Sequence, residues 1–66
     1  MKRKELKDLA LKIAKLENKR KKVVNKTEQK EIENEIFDLM QLTDSIDDLF
    51  VIDELIQTKF KYIVDK

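Results

Sequence analysis

The side chains with the most capacity for chemistry are carboxylates, and they cluster in the second half of the chain. Glu31, Glu35 and Asp38 recur at intervals of four and three residues, so a helix would place them on one face. A di-iron bundle would also require Glu-x-x-His pairs, and the sequence has no His. The acidic stretch DSIDDLFVIDE lacks the central Gly and the alternating ligands of an EF-hand loop. We therefore interpret these carboxylates as a solvated acidic face or as the partner of a basic helix, and we predict no metal site.

The sequence offers little to an enzyme mechanism. His, Cys and Gly are all absent, which removes the imidazole general base, the thiolate nucleophile and the Gly-rich phosphate loop. The remaining hydroxyl groups have no evident activating partner, and they belong to Thr27, Thr43, Ser45, Thr58 and Tyr62. We predict a protein that is not an enzyme and that takes no cofactor and no small-molecule substrate.

Basic side chains are concentrated in the first half of the chain. Residues 1–30 carry 12 basic and four acidic side chains, whereas residues 31–57 carry nine acidic side chains and no basic one. The basic set that could contact phosphates comprises Lys12, Lys15, Lys19, Arg20, Lys21, Lys22 and Lys26. No aromatic residue interleaves this set, so stacking on single-stranded bases is not supported. A nucleic-acid- or ribosome-associated function is kept as an alternative, and we favour pairing between the basic and acidic halves.

The overall composition indicates a small helical domain. With 66 residues the chain is a single domain near the lower limit for a stable core, and without Cys it has no disulfide to reinforce that core. Gly and Pro are both absent and 44% of the residues are charged, which is typical of long helices joined by short polar turns. The sequence contains no apolar run long enough for a membrane span, and its start is too charged for a signal peptide. We therefore expect a cytoplasmic protein.

The first helix is predicted over residues 3–24. Its apolar residues follow a heptad-like spacing and are Leu6, Leu9, Ile13, Leu16 and Val23. The first turn is predicted at Asn25–Thr27. Asn25 can end a helix in the left-handed conformation, and Thr27 can cap the next one.

The second and third helices are predicted over residues 28–43 and 46–64. One stripe contains Ile32, Ile36, Leu39, Met40 and Thr43, and on a helical wheel it continues through Ile46 and Phe50. A rotated stripe then follows, formed by Leu49, Ile52, Ile56, Phe60 and Ile63. Between them, Ser45 and Asp48 resemble a capping box, which favours a break. The predicted fold is an all-α three-helix bundle. A long helical hairpin stays open as an alternative, because neither Gly nor Pro enforces a stop.

The last twenty residues carry more apolar side chains than one helix face can bury. Val51, Leu55 and Tyr62 form a second stripe in addition to the core stripe. A helix that is apolar on two faces is usually covered on both, so we predict association through this second stripe, most simply as a homodimer or with a protein partner. The acidic residues predicted to rim the contact, which favour a basic partner surface, are Asp47, Asp48 and Glu54.

These observations favour a non-enzymatic helical protein–protein interaction module. Such a module would act as a small regulator, adaptor or inhibitor by binding another protein. A purely structural homo-oligomer is the other interpretation, since the second stripe would then be a subunit interface.

Overall fold

The chain folds into four α-helices in the computed structural model, which describes residues 2–65. These helices are α1 (Arg3–Lys22), α2 (Lys26–Met40), α3 (Ile46–Thr58) and a short α4 (Lys61–Val64). The described residues form no strand. The predicted all-α class is confirmed.

Helix α1 is the centre of the fold. It packs against α2, α3 and α4, whereas α2 and α3 make few contacts with each other. The molecule is correspondingly flat, with principal extents of 35 × 23 × 14 Å. Packed helices lie about 8–10 Å apart, so two helices that flank a third without closing on each other produce this flattened outline.

The hydrophobic core lies where the other helices meet α1. Half of the buried apolar residues come from α1, and the full set is Leu6, Leu9, Ala10, Ile13, Ala14, Ile32, Ile36, Ile52, Ile56 and Phe60. Ala10 and Ala14 are completely buried, and their small side chains let the neighbouring helices approach closely. Each large aliphatic side chain buried here contributes about 1.5–3 kcal/mol to the free energy of unfolding. The predicted seam of α1 is confirmed, with Leu16 and Val23 partly buried at its far end.

The first turn lies at residues 23–25, two residues before the predicted Asn25–Thr27, and its capping also differs from the prediction. Helix α1 ends at Lys22, and α2 already begins at Lys26. Asn25 caps α2, because its side-chain oxygen accepts a hydrogen bond from the Thr27 backbone N–H at 2.8 Å. The assignment of this cap to Thr27 was wrong. The left-handed conformation expected of Asn25 was also wrong, since its φ of −71° and ψ of 123° are those of extended backbone.

The second turn confirms the predicted break and excludes the continuous hairpin. Helix α2 ends at Met40, where the Thr43 hydroxyl donates a hydrogen bond to the Met40 carbonyl at 2.7 Å. Helix α3 begins at Ile46 after an N-cap at Ser45. Because the helix is interrupted, the expected continuation of the α2 stripe through Ile46 and Phe50 was wrong, and both side chains are exposed to solvent.

The C-terminal segment is bent rather than straight. Helix α3 ends at Thr58, before the predicted end at residue 64. The Phe60 backbone N–H donates to the Leu55 carbonyl at 2.9 Å, which closes a wider turn than an α-helix has. This bend places the Phe60 ring in the core. The Asn18 side-chain amide donates a hydrogen bond to the Val64 carbonyl at 3.2 Å. Packing against α1 therefore overrides the helical propensity of this segment.

Candidate protein-binding surface

Exposed apolar side chains gather around the turn between α2 and α3. Among the described residues, the large apolar side chains most open to solvent at this turn are Phe37, Leu42, Ile46 and Phe50, with Ile46 69% exposed and Phe50 67% exposed. Together with the partly buried Met40 and Leu49 they form a surface that we call the apolar corner. Phe37, Met40, Ile46 and Leu49 line a single open hollow of about 580 Å³. The apolar corner therefore has both exposed side chains and a concave centre.

Local capping decides which side chains reach this corner. The Ser45 side-chain oxygen accepts a hydrogen bond from the Asp48 backbone N–H at 3.3 Å, so α3 starts at Ile46. Ile52 and Ile56 then face α1, and the spacing of four residues places Ile46 and Phe50 together on a different face. Ile46 and Phe50 are exposed because they lie away from the face of α3 that packs on α1.

The surroundings of the apolar corner are acidic. It lies within the segment 31–57, which carries nine acidic side chains and no basic one. Asp38 and Asp47 are exposed next to it in sequence, and none of the described residues that line the hollow is basic. A negative potential over an apolar contact area favours a partner with the opposite charge.

Further along α3, the same face becomes polar. Asp53 follows Ile46 and Phe50 at intervals of seven and three residues, and it lies close enough to Glu17 of α1 to influence its titration. Partial burial raises the pKa of the Glu17 carboxyl above its ordinary value of 4.5; Arg20 opposes this shift and Asp53 adds to it. Arg20 also forms an ion pair with Glu33 of α2, with Nη2 and Oε1 2.6 Å apart.

The structure separates the three apolar residues that the sequence pattern had grouped. Val51 is 36% exposed and lines a hollow of about 550 Å³ with the partly buried Leu55 and with Glu54. Tyr62 is 69% exposed but lines a different hollow, beside Lys15. Because α3 ends at Thr58, the seven-residue spacing from Leu55 to Tyr62 no longer keeps both on one face.

The predicted acidic rim is likewise divided. Glu54 lies beside Val51 and Leu55, as the spacing predicts. Asp48 participates in the cap of α3, where one carboxylate oxygen accepts a hydrogen bond from the Asp44 backbone N–H at 3.3 Å. Asp47 is exposed in the first turn of α3.

The basic residues of the alternative nucleic-acid site are all exposed, but several face the protein itself. The set is Lys12, Lys15, Lys19, Arg20, Lys21, Lys22 and Lys26. Arg20 is paired with Glu33, and the Lys21 ammonium donates to the Val64 carbonyl at 3.4 Å. Lys19 shares a hollow with acidic side chains of α2, including Glu31. The ion pair of Arg20 and the hollow beside Lys19 bring α1 close to acidic side chains of α2, whereas the Lys21 contact is to α4.

The apolar corner was not identified from the sequence pattern. Phe37 was not assigned to any stripe, and Ile46 and Phe50 were assigned to the core-facing stripe of a continuing helix. One signal was present, since a break at Ser45 separates Ile46 and Phe50 from the stripe of α2. At about 100° per residue, Ile46 and Phe50 also fall outside the stripe that contains Ile52 and Ile56.

No protein-family model, curated protein or solved structure matches this chain. Within residues 2–65, no group of three or more acidic side chains is arranged to hold a metal ion. None of the helices in that range is both long enough and apolar enough to cross a bilayer.

Proposed function

We propose that this chain is a non-enzymatic helical module that acts by binding another protein, as a small regulator, adaptor or inhibitor. The observation that carries the proposal is the apolar corner, where Phe37, Ile46 and Phe50 remain exposed around one turn. Single exposed apolar residues are ordinary on protein surfaces, but aromatic and large aliphatic side chains collected on one surface are typical of contact sites.

A partner that covers this surface would gain free energy by burying it. Burying each of these side chains would contribute about 1.5–3 kcal/mol, which a free chain forgoes. Aromatic anchors at the centre and charged groups at the edge are the usual anatomy of a protein–protein interface. The apolar corner has this composition, with Phe37 and Phe50 as candidate anchors and Asp38 and Asp47 as candidate edge residues.

Self-association is a second proposal and rests on a different surface. The hollow beside Val51 and Leu55 also has Arg3, Glu54 and Lys59 in its lining. Because charges of both signs surround the apolar centre, basic residues of one copy can lie opposite acidic residues of the other when two copies of this surface pair. A homodimer through this hollow is compatible with a separate protein partner at the apolar corner.

We also propose a cytoplasmic location for the module. The chain has no Cys and so depends on no disulfide, which fits a reducing compartment.

Site-specific photo-crosslinking in the source cell tests the main proposal. A photoreactive amino acid at Phe50 should crosslink to one discrete protein, and adding Ile46→Asp should abolish that product. Val24 offers a matched control, because it is 92% exposed and apolar but lies in the α1–α2 turn, about 22 Å away along α2. Equal crosslinking from Phe50 and Val24, or no discrete product from Phe50, would contradict the proposal.

A further inference from the structure

We propose that the partner segment is a basic amphipathic helix that lies in the groove between α2 and α3. This inference rests on the proposed function and specifies the chemistry of the partner. The groove exists because α1 supports both helices while they make few contacts with each other. Its open end is the hollow into which Phe37 and Met40 project from α2 and Ile46 and Leu49 project from α3.

The dimensions and polarity of the α3 wall suit a helix. Ile46, Phe50 and Asp53 follow one face at intervals of four and three residues, a distance of about 10 Å at 1.5 Å per residue. A helix docked in a groove contacts it through side chains at intervals of three, four and seven residues. Two turns of such a helix would place apolar side chains against Ile46 and Phe50 and a further side chain near Asp53.

Charge complementarity makes the helix basic. The part of the groove around the apolar corner is formed by residues 31–40 of α2 and 46–57 of α3, and the segment 31–57 carries nine acidic side chains and no basic one. Asp53, on the same face of α3, adds to the raised pKa of the Glu17 carboxyl, which is caused mainly by partial burial and opposed by Arg20. A Lys or Arg from the partner would reduce the repulsion between these two carboxylates.

A second copy of this chain is a poorer occupant. Of the helices within residues 2–65, α1 is the strongly basic one, and its apolar seam through Leu9 and Ile13 is already buried in its own core. A symmetric contact between two apolar corners would bring the same acidic surroundings together from both sides. The occupant is therefore a segment of another protein.

Titration of the ¹⁵N-labelled chain with a synthetic peptide tests the inference. The probe is an amphipathic peptide of about 18 residues made of Leu and Lys, long enough to span the groove as a helix. We expect amide shifts centred on Phe37, Ile46 and Asp53. Two control peptides separate the contribution of the apolar face from that of the positive charge. The first has the same composition, with its Leu and Lys reordered to remove the apolar face. The second has Glu in place of Lys. Both should bind at least about tenfold more weakly.

Matched variants of the chain complete the test. Ile46→Asp should weaken binding of the amphipathic peptide at least about tenfold, whereas Val24→Asp should leave it nearly unchanged. Asp53→Asn should weaken binding and reduce its sensitivity to salt. Equal binding of the reordered peptide, or shifts centred away from the groove, would overturn the inference. If Phe50 crosslinks to a partner through a segment that is not a basic helix, the proposed function stands and this inference alone fails.

Discussion

The Ser45 side-chain oxygen accepts a hydrogen bond from the Asp48 backbone N–H at 3.3 Å, and this contact sets the start of α3. In the helix that starts there, Ile46 and Ile52 lie about 120° apart around the axis, so Ile52 is buried in the core while Ile46 is exposed to solvent. One local hydrogen bond thus connects a short sequence motif to the composition of the candidate binding surface. Its loss is expected to affect both the stability of the fold and the geometry of the apolar corner.

Ser45→Ala should lower the free energy of unfolding by about 0.5–2 kcal/mol, since an N-cap acceptor is removed from α3. Ser45→Asn retains an acceptor at the same position and should restore most of that loss. Urea denaturation followed by circular dichroism would measure both variants. Equal stability of the Ala and Asn variants would show that this cap does not hold α3.

Ile46→Asp should change the free energy of unfolding by less than about 0.5 kcal/mol, because the side chain is exposed. Ile52→Ala, six residues away on the same helix, should cost about 2–5 kcal/mol, because that side chain is 1% exposed in the core. Thermal and urea unfolding would compare the two. A large loss of stability from Ile46→Asp would mean that this residue serves the fold rather than a partner.

Glu17 should make stability depend on pH in a direction unusual for a carboxylate. Its pKa in the folded state is raised above 4.5, so the folded state holds the proton more tightly than the unfolded state. The stabilising contribution of the protonated Glu17 is complete below about pH 4.5. It is lost as the pH rises through the raised pKa of the folded state. Glu17→Gln should therefore stabilise the fold near neutral pH, by less than about 1 kcal/mol because solvent screens the site.

Urea denaturation at acidic and neutral pH would check this expectation. The advantage of Glu17→Gln over the natural chain should disappear in acid. Asp53→Asn offers an independent control. Removing the Asp53 charge should lower the pKa of Glu17 and so reduce the destabilisation that ionised Glu17 causes near neutral pH. An advantage of Glu17→Gln that is the same at both pH values would point to packing instead of ionisation.

Val51→Asp should weaken self-association, whereas Tyr62→Asp should not. The reason is that Val51 lies in the hollow with charges of both signs, while Tyr62 lies in a separate one. Lys21→Ala serves as a surface control outside both hollows. Sedimentation equilibrium at high micromolar protein concentration would distinguish the variants. A natural chain that is monomeric under these conditions would rule out the homodimer.

Nucleic-acid binding should be weak and should lack sequence preference. Arg20 forms an ion pair with Glu33, and the Lys21 ammonium donates a hydrogen bond to the Val64 carbonyl. Part of the basic set therefore already has partners within the chain. Any binding through the remaining lysines should fall steeply as salt is raised. Gel-shift titrations with unrelated RNA and DNA sequences would measure this. Tight binding of one sequence at physiological salt would favour the alternative function.

The sequence alone determined the features that depend on neighbouring residues. The heptad seam through Leu9 and Ile13 predicted the core face of α1, because apolar periodicity is a local property of the chain. The turns near Asn25 and Ser45 were also predicted, since caps act within three or four residues. The identity of one cap still differed from the prediction, because Asn25 and not Thr27 caps α2.

The tertiary structure decided the features that depend on distant contacts. The central position of α1, and with it the open groove between α2 and α3, follows from how the three apolar faces share one core. The bend before Phe60 arises because its ring enters that core and Asn18 holds the Val64 carbonyl from a separate helix. Periodicity along one helix contains no information about such contacts. For this reason the sequence pattern grouped Tyr62 with Val51, and only the folded chain placed them in different hollows.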